Sequence, residues 1–337
     1  MEHIFTKEKH NRDYSLDNLR GMLIFSVIFA HLLEISTPFL GVNFIYRTIY
    51  SFHMPLFLYL FGYFVKYNPK RIVFHWVIPY VVFQTLYIAF CRVVLHSNSI
   101  FQYTTPYWLL WYMVACIIYQ LLLPIYKENN RVFILGTAFC VALLTGFCDD
   151  IGYYMSLSRI LVFQPWFLLG VYSRENNAID IISKKCSKKA MNTIAVISGF
   201  FAFLSAFLIR VLQIPSTLLY GSYSYSGCNQ TVWVRGTVIV IGLVWIIFLC
   251  TTAKLVLNKK LPFLTHIGQN TLPAFLLHGF VVKAVPIYCP ALVSSPVRVL
   301  MLSCVMCIIL GNKWTKKAIY YISLSWLENV APNDNHP

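Results

Sequence analysis

The chain has 337 residues, 58% of them hydrophobic and only 12% charged, with a net charge of +15. Soluble domains are about a quarter charged, so this chain has too few charges to coat a water-facing surface. The basic excess does not indicate nucleic acid either. Lysine and arginine sit in short clusters between apolar runs rather than across one face.

Residues 1–15, MEHIFTKEKHNRDYS, are polar, mixed in charge and followed by no A-x-A site. The first apolar segment is therefore expected to stay in the chain. A membrane helix takes about 20 mostly apolar residues. Ten such segments are expected, at 19–37, 44–65, 72–95, 107–126, 131–148, 155–172, 191–212, 232–253, 263–285 and 294–311. The expected fold class is an all-α membrane protein of about ten transmembrane helices, one unit over 1–337 with no separate soluble domain. It divides into an N-terminal stretch (1–18), a membrane core (19–311) and a tail (312–337).

Basic clusters mark alternate connections: Lys7 to Arg20, Lys66 to Arg71, Lys127 and Arg131, Arg174 to Lys189, Lys254 to Lys260, and Lys313 to Lys317. The connections between them hold almost none in their centres. This alternation predicts that both termini are cytoplasmic. The polybasic loop 173–190 suits anionic lipid, an anionic cosubstrate or an orientation signal. The outer loop 213–231, QIPSTLLYGSYSYSGCNQT, carries no charge; its tyrosines and serines suit either sugar contacts or an ordinary interfacial loop. The tail NKWTKKAIYYISLSWLENV reads as an amphipathic helix on the inner leaflet, with membrane lipid as its partner. The single C-x-x-C, Cys304 to Cys307, lacks a second pair, so no metal is expected. Cys148, Cys228 and Cys289 fall in outer loops and leave room for one disulfide.

Ionisable groups inside a bilayer are costly and mark candidate sites. The stretch RGMLIFSVIFAH opens on Arg20 and closes on His31. Eleven steps of about 100° return to within about 20° of the starting direction, ~16 Å along the axis. Glu34 lies one turn beyond His31 and Asp17 one turn before Arg20. Alone, Arg20 reads as a snorkelling anchor and His31 as an interhelical hydrogen bond. As an aligned stripe they ask for a hydrated or protein-lined cavity.

Three further stretches carry polar residues in apolar surroundings. In SFHMPLFLYLFGYF (51–64), His53 precedes Pro55, which is expected to disturb the helix, and Gly62 permits close packing. In IGQNTLPAFLLHGFVV (267–282), Gln269, Asn270 and Thr271 precede Pro273 and His278. In TPYWLLWYMV (105–114), Trp108, Trp111 and Tyr112 sit at the outer interface. Arg159 and Arg210, near outer helix ends, are candidates for an anionic acceptor.

LDNLRGMLIFSVIFAH resembles the first-helix signature of the acyltransferase-3 family of integral-membrane acyltransferases, and SFHMPLFLYLFGYF resembles that family's second-helix segment. FQPWFLLGVYSRE (163–175) and IGQNTLPAFLLHG are similar to its later blocks. The resemblance implies transfer of an acyl group, usually acetyl, from cytosolic acetyl-CoA to a hydroxyl of a cell-surface glycan or its lipid-linked precursor. It points to the fucose 4-O-acetylase-like or polysaccharide O-acetyltransferase type. His31 is then expected as general base, with Glu34 as its orienter. Arg20, with Asp17, Lys66 and Arg71, would serve the donor end. His53, Trp108, Arg159 and His278 would serve the acceptor. The alternatives are a transporter or flippase for a lipid-linked sugar, or a non-catalytic sensory domain. No inverted repeat echoes the Arg20–His31 arrangement, and the oligomeric state stays open.

Overall fold

The computed structural model describes residues 14–97, 102–152, 154–176 and 186–329. Lys7, Lys9, Arg12, Lys184 and Lys185, with half of the polybasic loop and residues 330–337 of the tail, lie outside the described residues. Every regular element among the described residues is helical. The helices of the core are α1 (Ser15–Glu34), α2 (Val42–Phe64), α3 (Pro69–Val93), α4 (Trp111–Glu128), α5 (Arg131–Leu144) and α6 (Leu157–Glu175). They continue as α7 (Lys188–Val211), α8 (Val232–Val256), α9 (Pro262–Gly268), α10 (Thr271–Tyr288) and α11 (Pro296–Leu310), and the tail forms α12 (Lys313–Ile322).

Each of the ten expected segments is helical, but length and composition qualify seven helices to cross a membrane, or eight if α11 and α12 count as one bent span. The helix α2 carries Arg47, His53 and several tyrosines, which lower its apolarity. The helix α5 is only 14 residues long. The segment expected at 263–285 is broken, with Gln269 and Asn270 between α9 and α10. Pro273 explains the break: its ring would clash with the carbonyl four residues earlier, at Gln269, in a continuous helix. Pro55, by contrast, sits inside an unbroken α2. The ten cysteines are all free thiols.

The helix α1 forms the centre. It packs against α2, α8, α9, α10 and α11, and Leu23, Ile24, Ile28 and Leu32 are fully enclosed. Asn18, also fully buried, donates to the carbonyls of Leu257 (2.7 Å) and Lys259 (2.9 Å) and accepts from Thr265 Oγ1 (2.6 Å). These bonds pin the start of α1 to the turn between α8 and α9.

The tightest helix pair is α2 against α6. A Cβ on Gly62 would lie 2.1 Å from the Phe167 carbonyl oxygen, and one on Gly170 2.0 Å from that of Tyr59. Small residues let two membrane helices approach to backbone contact, where dispersion replaces the missing hydrophobic drive. The outer helix α7 turns Val196, Phe200, Phe203, Phe207 and Val211 outward, and α11 does the same with Val297, Met301, Val305 and Ile308. Such apolar stripes suit hydrocarbon as the surrounding solvent. The chain is a multi-pass membrane protein.

Candidate functional site

A cavity of about 600 Å³ runs beside α1. Arg20, Val27, His31 and Glu34 form its α1 wall, spaced by seven, four and three residues, which is one helical face. Fourteen residues of α-helix separate Arg20 from Glu34, an axial distance of ~21 Å.

Around the middle of this face three imidazoles meet. His31 Nδ1 lies 3.4 Å from Glu34 Oε2 and 3.1 Å from the Tyr50 hydroxyl. Donation of Nδ1–H toward the carboxylate leaves Nε2 as the lone-pair nitrogen. The His31 ring is 5.4 Å from the His278 ring and 4.8 Å from Trp108, between centroids. His278 Nδ1 donates to the Ala274 carbonyl and His53 Nδ1 to that of Ile49, both at 2.9 Å. A carbonyl only accepts, so both neutral rings keep an unprotonated Nε2. His278 is completely buried, and its Nε2 has no hydrogen-bond partner among the described residues. A buried acceptor without a partner is costly and needs a reason.

Trp108 is set by a lattice of bonds from α3. The buried Gln84 donates to the carbonyls of Gln102 (2.8 Å) and Thr105 (3.1 Å) and accepts from the Tyr107 amide (2.8 Å). The Tyr80 hydroxyl donates to the Tyr103 carbonyl (2.6 Å). Trp108 itself holds a left-handed φ of 40°, a conformation rare for a bulky residue and one that tends to occur at functional sites. At this end the wall also includes Trp111, Arg159 and Tyr220. The Arg159 guanidinium lies 5.3 Å from the Trp111 ring. Tyr220 shares a 2.6 Å hydrogen bond with Tyr46, which ties the loop 213–231 to α2 beside the cavity. Elsewhere that loop is structural: Arg235, buried, donates to the Tyr223 carbonyl at 2.7 Å.

The opposite end holds Arg20, Arg71, His75 and Lys316. The Arg20 guanidinium stacks over Phe64 at 4.2 Å. A π-helical turn at Val73–Val77 interrupts α3 and carries His75 and Trp76; such wide turns are frequent at functional positions.

The structure thus brings Arg20, His31, Glu34, His53, Arg71, Trp108, Arg159 and His278 onto one wall. Asp17 and Lys66 do not line it. Asp17 is buried, accepts a 2.9 Å bond from the cavity residue Gln269 through its Nε2, and acts by its charge on Arg20. Lys66 is exposed, as is Arg210. Residues that sequence reasoning missed are Tyr50, His75, Lys316 and Tyr220. Tyr50 lies one helical turn before His53 on the same face, a spacing that could have drawn attention to it. Among the described residues, no group of three or more His, Cys, Asp or Glu is placed to hold a metal ion.

Residues 13–311 match a family model described as an acyltransferase domain, that of the acyltransferase-3 family. The chain belongs to this family, and it is a membrane acyltransferase. No curated protein and no solved structure matches it.

Proposed function

We propose that the protein transfers an acetyl group from cytosolic acetyl-CoA to a hydroxyl of a cell-surface polysaccharide or of its lipid-linked precursor. It would do so in the plasma membrane, with both termini in the cytoplasm. The observation that carries this reading is the single cavity with cations at one end and the His31–Glu34 pair some 16 Å along the same helix face. That span suits a long, thin thioester whose anionic end stays with the cations. Arg20 and Arg71 would hold its phosphates by charge-assisted hydrogen bonds.

In this reading the acceptor hydroxyl comes from the Trp108 end. His31 Nε2 takes its proton as the oxygen bonds to the thioester carbonyl carbon. The carbon–sulfur bond then breaks, and His31 returns the proton to the departing thiolate. Glu34 stabilises the imidazolium between these steps. Trp108 and Trp111 offer faces to a sugar ring, and the Nε2 atoms of His53 and His278 accept from its other hydroxyls. Only the acyl group then crosses the membrane.

The test is transfer of labelled acetyl from acetyl-CoA to glycan in membranes carrying the protein. Label should appear on the glycan with the wild type. Uptake without labelled glycan would instead identify a transporter, and neither would identify a sensor.

A further inference from the structure

The family match ends at Gly311, yet the cavity wall continues beyond it. Asn312 stops α11 and caps α12, its side-chain oxygen accepting from the amides of Trp314 (2.8 Å) and Thr315 (2.9 Å). The chain bends by 65° there, and α12 packs against α10. One face of α12, Lys316, Ile319 and Tyr320, continued by Ser323 at the helix end, lines the cavity, at the i, i+3, i+4, i+7 spacing of a single helical stripe. Lys316 is exposed as well as cavity-lining, and Lys313, Trp314, Lys317 and Tyr321 are exposed without lining the cavity.

Two contacts hold this orientation. Ile319 is buried at 4% exposure, and Glu328, just past α12, meets His75 Nε2 at 2.5 Å. His75 stands one turn beyond Arg71, so the latch fastens the tail beside the cations of the donor end. Among the described residues no salt bridge engages Arg71 or Lys316, Arg20 lies in the field of the Asp17 carboxylate, and the tail carboxylate Glu328 is taken by His75. Three cations therefore face one end of an otherwise largely apolar cavity, with Phe61, Trp76 and Ile319 in its walls. A ligand with several phosphates and an uncharged arm matches this distribution.

We infer that the tail segment Lys313–Asn329 is part of the donor site and that Lys316 is a phosphate ligand for a CoA-type cosubstrate, acting with Arg20 and Arg71. This rests on the acetyl-CoA reading above and extends it beyond the family domain. The sequence pattern alone suggests a helix lying on lipid; in the structure the stripe that carries Lys316 and Ile319 also lines the cavity.

The experiment is calorimetric titration of the purified full chain in detergent with free CoA and, separately, with pantetheine, which lacks every phosphate. Lys316→Ala should weaken CoA binding on the order of tenfold, the scale of one charge-assisted hydrogen bond. It should leave pantetheine binding unchanged, and Lys316→Arg should restore most of the loss. Lys317→Ala, on the outward face, should bind CoA as the wild type does. Equal CoA affinity in wild type and Lys316→Ala overturns the inference, as does an equal loss for pantetheine. A wild type that binds CoA with this Lys316 dependence yet transfers no acyl group would refute the proposed function and leave the inference standing. A wild type that does not bind CoA overturns both.

Discussion

Replacing His31 with glutamine keeps an N–H donor near Tyr50 and Glu34 but removes the only proton-accepting nitrogen on the α1 stripe. A positioned general base contributes roughly 10²–10⁴-fold to rate, or about 3–5 kcal/mol of barrier. The surroundings argue for the lower half of that range. His278 sits with its ring 5.4 Å from that of His31 and keeps an unprotonated Nε2, so a second base stands nearby. Its Nδ1–H is committed to the Ala274 carbonyl, which holds the ring in place and limits how far it can substitute. We therefore expect kcat to fall roughly 10²–10³-fold in His31→Gln, and further in the His31→Gln/His278→Gln double variant. The donor KM should stay within about twofold, since the phosphate end lies ~16 Å away. The assay is labelled acetyl transfer at saturating donor, with insertion checked by protease accessibility. A kcat within tenfold of the wild type, with intact insertion, would refute the role given to His31.

Glu34→Gln should cost only a few-fold in kcat, because the pair is 3.4 Å apart and the carboxylate is 40% exposed, where solvent screens it; a loss above 10²-fold in the same assay would make Glu34 more than an orienter. Arg20→Ala should raise the donor KM roughly tenfold while Arg20→Lys keeps part of the affinity, the remainder measuring the guanidinium's fork geometry; an unchanged donor KM in Arg20→Ala counts against a phosphate role. Gly170→Val drives a side chain into the Tyr59 carbonyl and should destabilise the detergent-solubilised protein by about 1–3 kcal/mol or more. Gly136→Ala, where a Cβ meets nothing within 4 Å, should melt at the wild-type temperature or above it, and equal melting of both variants would refute the close α2–α6 contact.

The α1 stripe was legible because α1 is one uninterrupted helix, so sequence spacing converts directly into direction and rise. The His31–His278 and His31–Tyr50 contacts were not. They depend on how α1 seats against α2 and α10, and no periodicity within one helix encodes a neighbour. The break at Gln269–Asn270 had its signal in Pro273, but a proline is read as inside a span when the apolar run continues past it. The tail shows the limit differently. Its amphipathic pattern announced an apolar surface to cover, but not which surface. The His75–Glu328 pair joins residues 253 positions apart, with nothing local to either that names the other. Asp17 followed the stripe's spacing yet turned to Gln269, because α9 packs against that side of the helix end.

The central position of α1 has a consequence for how the chain is made. This helix is synthesised before the segments that hold it, since Asn18 bonds to Leu257, Lys259 and Thr265 and Asp17 accepts from Gln269, between 239 and 252 residues later. Until then α1 waits in the bilayer without these hydrogen bonds. Four of the helices that pack on it, α8 to α11, follow only after residue 231. Chains that stop before residue 257 lack these partners and the helices α9 to α11, and quality control in the membrane would meet them as an unclosed bundle.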